Sequence, residues 1–170
     1  FFKKKHSPIF INLIISNNAN AKGLNYAKKL KIKWCVVNFK NKKLSEKKLL
    51  KKLLNNKIDL ICLAGFMKIL SSDFIKRFKK PILNIHPSLL PKYKGLNTHK
   101  KVINNREKYS GATVHVVTAK LDSGKIILQK KIKIARYENE RTLEKKILKV
   151  EHELYPKAIK KVIRQVTLPA

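Results

Sequence analysis

The first hundred residues alternate between two kinds of stretch, and that alternation restricts the fold more than any other feature of the chain. Short apolar runs, "IFINLIIS" (9–16), "WCVVNF" (34–39), "IDLICLA" (58–64) and "PILNI" (81–85), are separated by polar stretches. Runs this short read as strands, and one apolar throughout, like 58–64, reads as a parallel strand covered on both faces. The stretches between them carry helical spacing. Ala19, Leu24, Ala27 and Leu30 fall on one side of a helix within 18–31, and Leu49, Leu50, Leu53 and Leu54 do so within 44–56. Ser45 is expected to cap the second of these, and a serine opens a third helix over 71–78. Strand and helix in strict alternation predict βαβ units, hence an α/β fold with a mostly parallel sheet flanked by helices.

Beyond residue 86 the pattern loosens. A proline-bearing loop leads to a short helix at 98–105. Strands are expected at 111–118 and 125–134, and the short connection "AKLDSGK" between them permits some antiparallel pairing. The long helix "NERTLEKKILKVEHELYPKAIKKVIRQV" should kink or break at Pro156. With no internal repeat and no linker, residues 1–170 read as one domain. No apolar run approaches the ~20 residues that span a bilayer, and no signal-peptide pattern is present. Cys35 and Cys62, each inside an apolar run, read as buried free thiols, and the cytoplasm is the expected compartment.

The net charge of +31 raises the question of a nucleic-acid partner. Of the 41 basic residues only 5 are arginine, and the lysines run along the whole chain. Phosphate and base readers favour the arginine fork or cluster their charge on one element. The abundance of Asn and Ile beside Lys fits codons rich in A and T. The charge is therefore read as compositional rather than as a nucleic-acid surface.

Ligands of open parallel sheets sit at the carboxyl ends of the strands. Three segments converge there: "AGFMKIL" (64–70), "NIHPSLLP" (84–91) and "TAKLDSGKIILQ" (118–129). Residues two apart on a strand point to one side, so Asn84 and His86 face the same way as their strand ends. Asp122, followed by Ser123 and Gly124, places a carboxylate near a loop tip. This set suits a reaction at a carbonyl carbon: amide and imidazole N–H groups stabilise an oxyanion. A carboxylate beside the imidazole favours its charged form and improves it as a proton donor. No serine or cysteine lies in a nucleophile motif, so direct attack by a substrate's own nucleophile fits better than a covalent intermediate. His115 reads as a satisfied sheet histidine, His99 as a helix-start residue and His152, between Glu151 and Glu153, as helical surface. His6 has no evident role. No metal-ligand spacing is found.

Taken together, "NIHPSLLPKYKGLNTH" and "GATVHVVTAKLDSGKIILQ" closely resemble the phosphoribosylglycinamide formyltransferase family, and "LAGFMKILS" and "EHELYP" fit it at consistent spacing. The resemblance extends from about Ile9 to the final helix. It implies a Rossmann-like formyltransferase fold. It also implies transfer of a formyl group from 10-formyltetrahydrofolate, a co-substrate, to the amine of 5-phosphoribosylglycinamide, without a metal. Asn84 and His86 would flank the formyl carbon, with His86 donating a proton. Asp122 would support its charged form and organise a water for proton relay. Met67, Lys68, Ile69 and Leu70 match the stretch that receives the pterin, with Lys68 where some relatives have arginine. Thr118 and Asp122 belong to a loop lining the folate pocket, and Glu151 matches a carboxylate that contacts the ribonucleotide. Implied partners are small molecules alone, for a monomer or weak homodimer. Formyltetrahydrofolate deformylase and methionyl-tRNA formyltransferase share the Asn-x-His…Asp core, but both carry a further domain. The family also opens with a strand and a Gly-rich loop whose amides hold the substrate phosphate. The match here begins at what would be the second strand. The expectation is therefore an N-terminally truncated sequence that folds poorly and binds the ribonucleotide weakly. The alternative is a non-catalytic, basic nucleic-acid-binding relic of the same fold.

Overall fold

The computed structural model describes residues 9–167, with side chains to residue 165; His6 lies outside the described residues. The chain divides into two compact units. One comprises the residues up to Asp59 together with Leu70–Lys79, and the other Leu60–Ile69 and the chain from Lys80 onward.

In the first unit, β1 (Ile14–Ser16) and β2 (Trp34–Val36) pair in parallel across α1 (Lys22–Lys29). Both strands are shorter than the apolar runs that contain them. The ladder holds three residue pairs, and Phe10 and Ile11, outside it, stand exposed. Hydrophobicity set the length of the runs, but pairing sets the length of a strand. Helix α2 (Lys42–Asn55) is capped by Asn41, whose side chain accepts from the Leu44 N–H, and not by Ser45. Ser45 lies inside the helix and its hydroxyl donates back to the Asn41 and Asn38 carbonyls. The buried face of α2 is Ser45, Glu46, Leu50 and Leu53, whereas Leu54 points outward. Helix α3 (Ser72–Phe78) begins at the expected serine: the Ser71 hydroxyl accepts from the Phe74 N–H at 3.1 Å. Glu46 joins the two helices, since its carboxylate accepts from both the Ser71 N–H (2.8 Å) and hydroxyl (2.6 Å). A buried carboxylate is tolerated only with such partners. Leu24, Ala27, Val37, Leu50, Leu53, Leu70, Phe74 and Phe78 form this unit's core.

In the second unit a four-stranded sheet runs in the order β3 (Ile61–Leu63), β4 (Ile82–His86), β5 (Tyr109–Val116), β6 (Ile126–Lys133). β3 and β4 are parallel; β5 and β6 add antiparallel pairs, the mixed pairing their short connection permits. Among the described residues β3 is an edge strand, covered less completely than its apolar run predicts: Ile61 and Leu63 are half-buried and Cys62 is exposed. Neither cysteine is buried as expected, Cys35 being half-buried on β2, although both are free thiols. A strand with one neighbour shields its side chains on one flank only. Helix α4 (Thr98–Asn104) links β4 to β5. Helix α5 (Glu140–Thr167) packs on β5 and β6 and runs unbroken through Pro156, which has no N–H to give the carbonyl four residues back. Leu143, Ile147, Val150, Leu154, Ala158 and Val162 are buried along α5, and Ile82, Leu83, Ala112 and Val114 are buried in the sheet.

Candidate active site

β4 places Asn84 and His86 on one side of the sheet as it ends, and β5 sets residues beside them by antiparallel register: Asn84 against His115 and His86 against Thr113. The connection from β5 to β6 folds back so that Asp122, in a left-handed backbone conformation (φ 43°), turns its carboxylate inward and is 9% exposed. One oxygen, Oδ2, lies 3.5 Å from His86 Nδ1, and the other, Oδ1, lies 3.5 Å from His115 Nε2. The Asn84 amide nitrogen stands 3.4 Å from that same His115 nitrogen. Oδ2 also accepts a hydrogen bond from the Gly95 N–H at 2.9 Å. Four polar side chains thus meet where the sequence placed three.

The two nitrogens of His86 are held differently. Nε2 is 2.8 Å from the Tyr93 carbonyl, a full hydrogen bond when that nitrogen carries its hydrogen. Nδ1, at 3.5 Å from Asp122, is beyond the ~2.7–2.9 Å of a charge-assisted bond. That separation leaves Nδ1 as the ring nitrogen free to meet another group, with a carboxylate at hand.

His115, read from the sequence as a satisfied sheet histidine, is the fourth member. It is 2% exposed and, as a sheet histidine should be, satisfied: its Nδ1 lies 2.9 Å from the Val116 carbonyl. Its other nitrogen faces the cluster. The pairing of β4 with β5 brings it there, and a β-bulge between Val114 and His115 interrupts the ladder to β6 at that point.

The remaining sequence-derived residues lie outside this cluster. Met67, Lys68 and Ile69 follow β3 and are exposed. Because β3 is parallel to β4, with Leu63 beside Asn84, this segment leaves the same end of the sheet on which Asn84 and His86 stand. Leu70 belongs to the first unit and is buried. Thr118 is exposed, its hydroxyl donating to the Lys120 carbonyl within the loop that carries Asp122. Glu151 is half-buried on α5, where burial pushes its carboxyl up to about 7. His99 is in the first turn of α4, half-buried, and desolvation holds it below the ordinary imidazole value. Among the described residues no three His, Cys, Asp or Glu side chains gather as metal ligands, and no helix is long and apolar enough to cross a membrane.

Comparison with known proteins gives the family. A formyl transferase family model matches residues 2–159. The phosphoribosylglycinamide formyltransferase of Haemophilus influenzae is 42% identical over 156 residues, which cover 90% of this chain and 74% of that protein. The trifunctional purine biosynthetic protein adenosine-3 of Bos taurus is 38% identical over 89% of this chain, which spans only 15% of its length. The crystal structure of phosphoribosylglycinamide formyltransferase from Anaplasma phagocytophilum superposes with a TM-score of 0.90 at 38% identity, over 99% of this chain and 79% of that one. Matched along nearly its whole length and carrying the Asn84–His86–Asp122 cluster at the end of β4, the chain belongs to the formyl transferase family.

Proposed function

We propose that this protein transfers a formyl group from 10-formyltetrahydrofolate to the amine of 5-phosphoribosylglycinamide. The observation that carries the proposal is the convergence of Asn84, His86 and Asp122, with Nδ1 of His86 free of a close hydrogen-bond partner. The names of the relatives supply the acceptor and the group transferred, and the resemblance of the sequence motifs implies the folate donor.

The roles follow from the groups present. The substrate amine adds to the formyl carbon, forming the new C–N bond as the carbonyl electron pair moves onto oxygen. The Asn84 amide and the Nδ1–H of the His86 imidazolium donate to that oxyanion, the charge being met by groups already in place. Collapse re-forms the carbonyl and breaks the bond to N10 of the folate. N10 takes the His86 Nδ1 proton as it leaves, and the amine gives one to the Asp122 carboxylate or to a water it holds, from which His86 is reprotonated, so the exchange is balanced. Met67, Lys68, Ile69, Leu70 and Thr118 are assigned to the folate, and Glu151 to the ribonucleotide. The family match runs across both units, which supports the reading of one formyltransferase domain. The same reading takes the protein as cytoplasmic and as a monomer or weak homodimer.

The test is formyl transfer with purified protein, followed by appearance of deformylated folate. His86→Ala should reduce kcat by about 10²–10⁴-fold with an unchanged circular dichroism spectrum. Asp122→Asn, which keeps the shape and removes the charge, should also lower it steeply. A near-parental rate in either variant overturns the assignment of that residue.

A further inference from the structure

Tyr93 touches the catalytic cluster through its backbone and a second polar cluster through its side chain. It adopts φ 57°, a left-handed conformation that is unfavourable for a bulky L-residue. Such strain persists where the surroundings over-determine the backbone. Here they do. The Tyr93 hydroxyl donates to Glu107 Oε1 at 2.8 Å and accepts from the Asn105 amide at 2.9 Å. Lys92, the preceding residue, donates to the same Glu107 oxygen at 2.8 Å, and its carbonyl accepts from the buried Ser88 hydroxyl at 2.7 Å. Asn105 and Glu107 sit in the turn that ends α4, their N–H groups bonded to the Lys101 and Val102 carbonyls. The side chain of Tyr93 is thereby fastened to the end of a helix while its carbonyl stands 2.8 Å from His86 Nε2.

The geometry points to Tyr93 as a positioning residue: held by Glu107, Asn105 and Lys92, its carbonyl engages Nε2 of His86 and leaves Nδ1 as the nitrogen presented to substrate. A neutral imidazole has one N–H, so with Nε2–H given to Tyr93 the Nδ1 position carries a hydrogen to donate only when the ring is an imidazolium. With Nε2–H committed to Tyr93, the ring cannot rotate without breaking that bond. The same loop supplies the Gly95 N–H to Asp122 Oδ2, so one segment orients both the imidazole and its carboxylate. The Glu107 carboxyl, held below its ordinary range first by the Lys92 hydrogen bond and then by that of Tyr93, is a dependable acceptor at neutral pH. None of these three side chains faces the Asn84–His86–Asp122 cluster in any hydrogen bond or ion pair described above; they act through Tyr93. The consequence for rate rests on the formyl-transfer proposal, but the effect on the His86 ring does not.

The experiment measures both. In ¹⁵N-labelled protein the imidazole resonances of His86 are assigned by their loss in His86→Ala, then recorded in Tyr93→Phe, Glu107→Ala and Glu107→Gln. Tyr93→Phe and Glu107→Ala should shift the Nε2 signal and lower kcat about tenfold, as a small displacement of a reacting group does, with KM for both substrates within about twofold of the parent. Glu107→Gln keeps an acceptor oxygen and should recover most of the rate. Unmoved His86 resonances in folded Tyr93→Phe and Glu107→Ala, whatever happens to their melting temperatures, overturn the proposal and leave the cluster a structural clamp. Should Tyr93→Phe fail to fold, Asn105→Ala removes one bond to the same hydroxyl from an exposed position and gives the same readout. If the parent protein transfers no formyl group, the function assigned above falls while the ring resonances still decide the part played by Tyr93.

Discussion

At the residue scale the chemistry is set by partners rather than by residue type. His86, His99 and His115 are all at least half-buried, yet one faces Asp122 with its Nδ1, one is desolvated, and one reaches the same carboxylate from the neighbouring strand. Glu151 differs again, since burial alone raises its carboxyl to about 7. In the unfolded chain that group ionises near its ordinary value of 4.5. Below 4.5 both states hold the proton and no stability is lost. Between 4.5 and 7 the unfolded chain gives up its proton more readily than the folded one, so stability falls as pH rises and levels off above 7. Glu151→Gln has no proton to lose. Its melting temperature relative to the parent should therefore climb between pH 4 and pH 7.5, and a constant difference across that range would refute the linkage. On the assignment of Glu151 proposed above, the substitution should also weaken ribonucleotide binding.

At the element scale two connections depend on single residues. Helices α2 and α3 are joined by Glu46, which accepts twice from Ser71. Glu46→Ala leaves the Ser71 N–H without that acceptor in a part-buried position, a loss of about 1–3 kcal/mol that urea unfolding should register. The β5–β6 connection is the other. Gly124 is confined there because a Cβ would run into the Val116 carbonyl, and the Val116 N–H closes the connection by donating to the Lys125 carbonyl at 2.9 Å. That contact is backbone and cannot swing aside. Gly124→Ala should cost about 1–3 kcal/mol and displace Asp122 with the loop. Activity measured per folded molecule should then fall too, whereas a purely thermodynamic defect would leave it at the parental level.

At the scale of the whole molecule the dominant quantity is a charge of +31, from 41 basic and 10 acidic residues. The ion pairs Asp73–Arg77, Lys92–Glu107, Lys130–Glu153 and Glu138–Lys146 engage few of those lysines, and such surface pairs contribute about 0–1 kcal/mol each. Folding draws the remaining cations together, and self-repulsion opposes the compact state. Raising salt from about 0.01 M to 0.1 M shortens the screening length from about 30 Å to 10 Å. The melting temperature should rise over that interval by about 2–4 °C for each kcal/mol of repulsion relieved. A flat or falling dependence would mean that the lysines already lie too far apart to matter.

The amino-acid sequence by itself determined what is local. The order of strands and helices, the serine that caps α3 and the shared direction of Asn84 and His86 each follow from periodicity or from a side chain bonding its own backbone a few residues away. Even there, one choice between neighbours went the other way: Asn41, not Ser45, caps α2, because Ser45 found carbonyl acceptors inside the helix. The tertiary structure decided everything that needs a distant partner. Whether an apolar run becomes eight residues of strand or three depends on how far its neighbour runs beside it, as at β1. Whether Cys62 is covered depends on β3 being an edge strand. His115 joins the site because β5 pairs with β4 in the register that sets it opposite Asn84, and Tyr93 because its loop returns its carbonyl to His86. Propensity and periodicity act over one or two turns of chain, whereas register, burial and the partners of a ring nitrogen are settled across tens of residues, where no local pattern carries the information.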